Sequence, residues 1–359
     1  MRFDVRPSAA LVSPERRAEI LADPAFGKVF TDHMVTATYA PGQGWYDAAL
    51  SPYGPITLDP ASVVLHYGQT VFEGLKGYRQ PDGGVALFRP ERNAARMVRS
   101  CERLALPAFP EDAFVEACEL LVSQDRAWVP SGEGASLYLR PFVWATEVGL
   151  GVHPSDTAMF HLIAAPAGNY FGGPLRPISL WLSQEYSRAA PGGTGAAKCG
   201  GNYAASLIAQ QEAAVNGCQQ VMFLDAVERR WLEELGGMNL FLVFDDGTLV
   251  TPEISGTILE GVTRDSVITL AKELGHPVEE RKVDVDEWRK GAADGKVVEV
   301  FSCGTAAVIT PIGALRWPGG EAVAGGGETG PVTTDIRRAL LDIQYGRAGD
   351  PHGWLHRVV

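Results

Sequence analysis

Hydrophobic and polar positions alternate in short blocks along the first half of the chain. Runs rich in β-branched and aromatic residues predict strands at 30–39, 45–50, 55–58, 85–88, 136–146 and 158–165. Apolar positions spaced near 3.6 residues predict helices at 14–21, 90–104 and 111–128, the second with Pro90 in its first turn. Strands and helices mix here without strict alternation, which indicates an α+β domain.

The second half continues the mixture and contains no internal repeat. Strands are predicted at 178–183, 219–224, 230–234, 240–244, 277–283 and 297–301, and helices at 202–216, 263–274 and 332–345. Between the halves, residues 167–177 hold three Gly and two Pro. We therefore predict an N-terminal domain at 1–166, an interdomain loop at 167–177 and a C-terminal domain at 178–359. Tyr170 and Phe171 either pin this loop to the surface or form a lid over a site.

Composition and charge narrow the functional classes. The 359 residues, 46% hydrophobic and 21% charged, can bury a core without disulfides or a metal. A net charge of −12 without a basic run argues against nucleic-acid and membrane-surface binding. Five cysteines without a CxxC pair, and seven histidines without ligand spacing, predict no disulfide framework and no metal site. Neither a signal-type apolar segment nor a long apolar run is present, so we expect a cytoplasmic protein.

A glycine-rich loop contains the first candidate for chemistry. Residues 191–203 read PGGTGAAKCGGNY, the outline of a phosphate loop without the Ser or Thr that should follow its lysine. The small neighbours of Lys198 allow a ligand to approach closely, and a desolvated lysine could act as an amine nucleophile. The alternative is a solvated loop lysine.

Two further patterns lie at the ends of predicted elements in the second half, one at the start of a helix and one at the end of a strand. Gly261 precedes a helix start, whose free amides could bind an anion unless Thr263 or Asp265 simply caps the helix. Glu233 and Glu234 end a strand, and a carboxylate there either meets a donor or lies in a surface turn.

Two weaker patterns complete the set. Thr305 and Ala306 follow a strand and could present backbone N–H groups to a carboxylate, or form a tight turn. Tyr138 and Arg140 share one face of a strand, which could equally be an ordinary amphipathic face. Together, a loop lysine, an acid, two anion sites and an aromatic lid suit an aldehyde cofactor that carries a phosphate.

The chain resembles the branched-chain amino-acid aminotransferases, which are fold-type-IV pyridoxal-phosphate (PLP) enzymes. The matching motifs occur in the family's order and approximate spacing, and they are Phe30-Thr31-Asp32-His33-Met34, His66-Tyr67, Phe72-Glu73-Gly74-Leu75-Lys76, Tyr138-Leu139-Arg140-Pro141, Lys198-Cys199-Gly200-Gly201-Asn202-Tyr203, Met238-Asn239-Leu240-Phe241, Gly261-Val262-Thr263-Arg264 and Gly304-Thr305-Ala306. The resemblance implies a homodimer of two-domain α+β chains, with a smaller N-terminal domain, a larger barrel-like C-terminal domain and PLP in the cleft.

The resemblance also implies roles around the cofactor. Lys198 would form the Schiff base with PLP and shuttle the substrate proton. Glu234 would pair with the ring nitrogen, Tyr203 would bond O3′, and Leu259 would pack on the ring. The phosphate would be held by a guanidinium and by residues with backbone N–H donors, namely Arg96, Val262, Thr263 and Thr305.

The implied reaction converts branched-chain L-amino acids and 2-oxoglutarate into branched 2-oxo acids and L-glutamate. Tyr67 and the amides of Thr305 and Ala306 would receive the α-carboxylate. The side-chain pocket would have aromatic walls, formed by Phe30, Phe72, Tyr138, Tyr170 and Phe171. The second carboxylate of glutamate would meet Tyr138, Arg140 or Lys76.

The chain departs from the family pattern in places. Gly237 stands where many relatives carry Thr, so one hydroxyl near the ring is missing. Glu233 beside Glu234 leaves a one-residue ambiguity in the ring-nitrogen partner, and the register of the following Gly-Met-Asn favours Glu234. The redox CxxC of some animal relatives is absent, and Cys199 is expected to be a small buried residue. The alternatives are a D-amino-acid transaminase or an aminodeoxychorismate lyase of the same fold, or a non-catalytic binding protein.

Overall fold

The computed structural model describes residues 1–168, 170 and 175–359. The α-helices of these residues are α1 (Pro14–Ala22), α2 (Val63–Tyr67), α3 (Pro90–Arg103), α4 (Glu111–Gln124), α5 (Gly200–Ala204), α6 (Leu207–Val215), α7 (Val262–Glu273), α8 (Val285–Ala293) and α9 (Pro331–Gln344). Short 3₁₀ turns occur at Arg126–Trp128 and Gly325–Gly327.

The strands of the described residues are, in chain order, β1 (Asp4–Val5), β2 (His33–Ala40), β3 (Gly44–Pro52), β4 (Thr70–Phe72), β5 (Leu75–Arg79), β6 (Val85–Phe88), β7 (Ser136–Ala145), β8 (Ala158–Ala167), β9 (Ile178–Ser183), β10 (Gln220–Leu224), β11 (Leu232–Leu235), β12 (Asn239–Phe244), β13 (Leu249–Pro252), β14 (Val278–Arg281), β15 (Val297–Gly304), β16 (Val308–Trp317), β17 (Gly320–Val323) and β18 (Leu355–Arg357).

The chain divides into two compact units, each built on one sheet. The first contains Met1–Gly173, Ala197–Gly200 and Ile343–Val359, and the second contains Pro174–Ala196 and Gly201–Asp342. Two later segments group with the first unit because Cys199 bridges to Val71 and β18 pairs with β6. The domains predicted at 1–166 and 178–359 stay a prediction.

The sheet of the first unit has the order β1-β3-β2-β8-β7-β5-β6-β18, with β4 beside β7. Its central pair, β7 and β8, is antiparallel and stays in register from Ser136 opposite Ala167 to Ala145 opposite Ala158. Helices α3 and α4 contribute to the same core, which includes fully buried Phe114 and Phe160. Helix α3 also buries the polar residues Asn93, Arg96 and Ser100, which is costly unless they have partners.

The sheet of the second unit has the order β11-β10-β9-β16-β15-β12-β13-β14, with β17 beside β16. It mixes parallel pairs, such as β9 with β10, and antiparallel pairs, such as β12 with β15. Its core contains Leu180, Met222 and Leu240, and all four residues of β11 are buried. Two of those four are glutamates, so this strand must supply partners to buried carboxylates.

Several predicted elements differ from the structure. The strand predicted at 55–58 is wrong: the segment has no ladder partner, and Pro55 cannot donate a ladder hydrogen bond. The helix predicted at 202–216 is two helices, α5 and α6, separated where the Ser206 hydroxyl donates to the Tyr203 carbonyl. Within the described part of the chain, no helix has the length and apolar character needed to cross a membrane.

Candidate active site

Lys198 lies in the short segment of the glycine-rich loop that belongs to the first unit. Its backbone N–H donates to Ser100 Oγ over 3.0 Å, and its carbonyl accepts from the Phe72 N–H over 2.9 Å. Its Nζ lies 5.0 Å from the centroid of the Phe72 ring, within cation–π range. The lysine is half-buried, and its backbone is fixed on both sides, by α3 and by β4. Cys199 beside it is buried, as expected.

Arg96, the predicted phosphate ligand, forms a buried ion pair with Glu73. Arg96 Nε donates to Glu73 Oε1 over 2.7 Å and Nη2 donates to Oε2 over 2.8 Å. The Gly74 N–H and Asn93 Nδ2 also donate to Oε2, at 3.1 and 2.8 Å. Burial by itself raises the pKa of Glu73, but the charge and hydrogen bonds of Arg96, with the charge of Lys198, lower it overall. The carboxylate therefore stays ionised beside both cations.

A cavity of about 310 Å³ in the first unit brings together three of the predicted pocket residues, Phe30, Tyr138 and Arg140. Arg140 Nη2 donates to the Tyr138 hydroxyl over 3.0 Å, so the predicted shared face of β7 is confirmed. The Arg140 guanidinium also lies 4.8 Å from the centroid of the Phe72 ring. A side chain at Gly74 would force the Tyr138 ring to move, because its Cβ would collide with the Tyr138 hydroxyl. The cavity therefore has an aromatic wall and one cation.

The remaining predicted pocket residues lie around this cavity or away from it. The Tyr170 ring packs edge-on against Phe26 at 5.1 Å, and Phe26, which sequence reasoning missed, contacts Tyr138 at 4.9 Å. Lys76 is buried on β5, opposite Tyr138 in register. Tyr67 is partly exposed and donates its hydroxyl to the Leu150 carbonyl over 2.5 Å, and it does not line the cavity. Phe171 lies outside the described residues.

In the second unit, Glu234 is buried on β11 and accepts from a backbone amide and a guanidinium. The Leu259 N–H donates to Oε2 over 3.0 Å, and Arg188 Nη2 forms an ion pair with the same oxygen at 2.7 Å. Arg188 is also buried and donates to the carbonyls of Gly195 and Thr257. Sequence reasoning missed Arg188 because a single arginine before a glycine-rich loop has no spacing that marks it. The Glu234 carboxylate therefore acts as an acceptor for both a guanidinium and a backbone amide.

Glu233 and Glu234 have different partners, because neighbouring strand residues point to opposite faces. Glu233 Oε1 accepts from Thr257 Oγ1 over 2.5 Å. In the turn that follows β11, a Cβ at Gly237 would come within 3.2 Å of the Tyr203 hydroxyl. The glycine that departs from the family pattern therefore leaves room for the Tyr203 ring.

Helix α7 begins at Val262, after an N-cap at Gly261. The N-cap residue is therefore neither Thr263 nor Asp265, which lie within the helix. The first-turn amides carry the positive end of a twelve-residue helix, which favours an anion. Thr305 and Ala306 are half-buried in the turn between β15 and β16. These residues and Leu259, Tyr203 and Glu234 all belong to the second unit, whereas Lys198 and Arg96 belong to the first.

A family model described as amino-transferase class IV matches residues 70–315, which is more than half of the chain. This segment contains Lys198, Arg96, Glu234 and the start of α7. Fold and sequence thus define a class IV aminotransferase, an α+β enzyme.

Relatives place the chain within that class. It is 57% identical over 357 residues to a probable branched-chain-amino-acid aminotransferase of Streptomyces coelicolor, covering 99% of this chain and 98% of that protein. It is 54% identical to the branched-chain-amino-acid aminotransferase of Mycolicibacterium smegmatis, covering 100% and 98%. The chain belongs to the branched-chain-amino-acid aminotransferase family, which confirms the resemblance and the implied enzyme class.

Solved structures of branched-chain amino acid aminotransferases have the same fold as this chain. The Escherichia coli branched-chain amino acid aminotransferase matches with a TM-score of 0.77 at 32% identity, covering 91% of this chain and 99% of that one. The branched-chain amino acid aminotransferase of Thermobaculum terrenum, solved in its PLP form, matches with a TM-score of 0.74 at 28% identity, covering 91% and 98%. These matches confirm the predicted α+β fold class.

Proposed function

We propose that this enzyme transfers the amino group of L-leucine, L-isoleucine or L-valine to 2-oxoglutarate, with PLP as cofactor. The observation that carries the proposal is the half-buried Lys198, whose backbone is fixed between Ser100 and Phe72. Branched aliphatic side chains suit the cavity lined by Phe30 and Tyr138, which is mostly aromatic and apolar.

The residues present fit PLP by their chemistry. Its phosphate needs cationic and N–H donors, which Arg96 and the first turn of α7 offer. Its ring nitrogen needs a carboxylate, and Glu234 is buried and paired with Arg188. Its O3′ needs a donor, which the Tyr203 hydroxyl would supply, and Leu259 would offer an apolar side chain to the ring. Thr305 would add a further donor to the phosphate.

When bound, PLP supplies the electron sink that lets the Cα–H bond of the amino acid break. Lys198 Nζ would hold the cofactor at its aldehyde carbon, and the amine, once displaced from that carbon by the substrate's amino group, would move the proton at Cα. Glu234 would hold a proton at the ring nitrogen, and Arg188 would keep Glu234 ionised and in place. The buried Glu73 would orient Arg96 toward the phosphate.

Substrate orientation would come from the two ends of the amino acid. Tyr67 and the amides of Thr305 and Ala306 would receive the α-carboxylate. Branched side chains would contact the ring walls, with water excluded by a lid that contains Tyr170 and Phe171, as the resemblance implies. The second carboxylate of glutamate would meet Arg140, Tyr138 or Lys76. One pocket would thus serve both half-reactions, because Arg140 provides charge within an aromatic wall.

The same family implies a homodimer and a cytoplasmic location. An exposed apolar patch in the first unit supports the dimer, and its members are 44–81% exposed: Leu65, Tyr67, Val148, Leu150 and Val152. Five free, buried cysteines are consistent with a reducing compartment. We expect sedimentation equilibrium to give twice the chain mass of 38.5 kDa. A Leu150→Lys variant should shift the protein toward the monomer, and a monomeric wild type would refute the dimer.

The activity is tested with purified holoenzyme, L-leucine and 2-oxoglutarate, by following L-glutamate. We expect turnover by wild type, and none by Lys198→Ala although this variant is folded. Turnover of D-alanine instead of L-leucine would indicate the D-amino-acid transaminase, and pyruvate release from aminodeoxychorismate would indicate the lyase. A protein that shows no visible absorption band with PLP would refute the proposal.

A further inference from the structure

A second cavity, of about 240 Å³, lies in the second unit on the face of β11 that carries Glu233. Buried Glu233 and Thr257 form its floor, half-buried Trp231 stands in its wall, and exposed Lys282 lies at its rim. Glu234 points to the opposite face of the strand, because adjacent strand residues alternate. None of the residues assigned to the cofactor ring lines this cavity.

Two buried polar atoms in this lining have no hydrogen-bond partner among the described residues, Glu233 Oε2 and Trp231 Nε1. Glu233 is only 6% exposed, and burial raises the pKa of its carboxyl group. An unpaired buried acceptor and an unpaired buried donor each carry a desolvation cost that a bound polar group would remove.

Among the described residues no neighbouring side chain donates a hydrogen bond to Glu233 Oε2, although the charge of Arg188 acts on this carboxyl group against the rise in pKa that burial causes. The Thr257 hydroxyl donates to Oε1, and its oxygen is 2.8 Å from Ser255 Oγ, so these two hydroxyl groups form a chain that ends at the other carboxylate oxygen. Asp225, a second acid of the lining, accepts the backbone N–H groups of Val227, Glu228, Arg230 and Trp231. Asp225 is thus a structural acid of the turn, and Glu233 is the acid with an open acceptor.

One open group is an acceptor, on Glu233 of β11, and the other is a donor, on Trp231, which pairs with Asp284 just before that strand. Trp231 and Glu233 are two residues apart, about 7 Å along an extended chain. Lys282 Nζ lies 5.5 Å from the centroid of the Trp231 ring, which places a cation against this ring. A ligand that satisfies all three needs an ammonium group and a carboxylate a few ångströms apart. Pro252 and Ile258 add an apolar wall for a side chain.

We propose that this cavity is a second, non-catalytic site for a free aliphatic α-amino acid. The ammonium group of the amino acid binds Glu233 Oε2, and the carboxylate of the amino acid binds Trp231 Nε1–H and Lys282. The site needs neither Lys198 nor the cofactor.

The test is calorimetric titration of L-leucine into holoenzyme reduced with borohydride, in which the cofactor is fixed and cannot react with an amino acid. We expect one binding event per chain, weakened at least tenfold in Glu233→Gln and several-fold in Trp231→Phe, which loses only the N–H donor. Glu228→Gln, at an exposed lining acid, is the matched control and should bind as wild type does. Isopentylamine and 4-methylpentanoate, each lacking one charged group, should bind at least tenfold more weakly.

Several outcomes would overturn the proposal. The first is that the reduced wild type does not bind L-leucine. The second is that the Glu233→Gln and Trp231→Phe variants bind L-leucine as tightly as wild type does. The third is that isopentylamine binds as tightly as L-leucine. Crystals soaked in L-leucine that show only water in the cavity would also refute it. The absorbance change on reduction reports cofactor attachment separately, so a failure of the proposed transaminase function would be recognised independently.

Discussion

Replacing Glu73 by glutamine removes the charge that offsets Arg96 in the interior of the first unit. The side chain of Glu73 is 0% exposed and that of Arg96 is 5% exposed, so water cannot solvate the unpaired guanidinium. Glutamine keeps the shape but replaces one acceptor oxygen by an NH₂ group. That group would face donors, since the Gly74 N–H, Asn93 Nδ2 and Arg96 all donate to the carboxylate.

The expected loss is about 3–5 kcal/mol, the usual result of removing one partner of a buried ion pair. For a domain of 150–250 residues, each kcal/mol lowers Tm by roughly 2–4 °C, so we expect a decrease of about 10 °C. The folded-state pKa of Glu73 is lowered below its usual value of 4.5. Its stabilising effect is therefore present above pH 4.5 and is lost as the pH falls through the lower folded-state pKa. The difference between wild type and variant should shrink in acid.

The assay is thermal unfolding of the cofactor-free proteins, followed by circular dichroism, because bound cofactor would add stability of its own. Glu102→Gln, at an exposed position on the same helix, is the matched control and should change stability by no more than about 0.5 kcal/mol. The double variant Glu73→Leu/Arg96→Met removes both charges and should recover most of the loss. If Glu73→Gln has the same Tm as the control Glu102→Gln at neutral pH, the ion pair does not stabilise the core.

Three further predictions concern other parts of the chain. Glu234→Gln should lower kcat about 10²-fold in steady-state assays while the cofactor remains bound, because a neutral amide no longer favours a protonated ring nitrogen; unchanged kcat would exclude that role. Burial lowers the pKa of His161 to about 4, from its usual 6.5. Because the unfolded chain takes up the proton at a higher pH than the folded chain, the free energy of unfolding from urea titrations should be highest above pH 6.5 and fall by about 3 kcal/mol towards pH 4. The His161→Gln variant should not show this loss. In Gly195→Ala the new Cβ would lie 2.6 Å from Thr257 Cα and should cost about 1–3 kcal/mol in the same titration, whereas Gly201→Ala, with no atom within 4 Å of its Cβ, should not; equal midpoints would contradict the crowding.

Elements with a strong local pattern were predictable from the sequence. The strands at Val85–Phe88 and Ile178–Ser183 have the predicted bounds, because β-branched and apolar residues with flanking turn residues determine them locally. The segment at 55–58 lacks a partner strand in the fold, which local composition cannot reveal. Strand β16 (Val308–Trp317) was not predicted, and its pairing with β9 joins residues more than 120 positions apart.

The candidate site shows the same limit. The order of motifs was sufficient to single out Lys198, Arg96, Glu234 and the start of α7. It was not sufficient to identify Arg188 as the partner of Glu234, because Glu234 lies 46 positions after Arg188 in the chain. A charged residue appears in a sequence without its partner, so its role as an ion pair becomes visible only when the chain is folded.

The sequence by itself determined the α+β class, most strand positions and the family, since these depend on local periodicity and on an ordered set of motifs. Tertiary structure alone decided that Lys198 packs with the first unit, that Glu73 holds Arg96, and that Glu233 and Glu234 serve opposite faces of one strand. The physical reason is that the fate of a buried charge depends on which groups replace water around it. Those groups are brought together by the fold from distant parts of the chain.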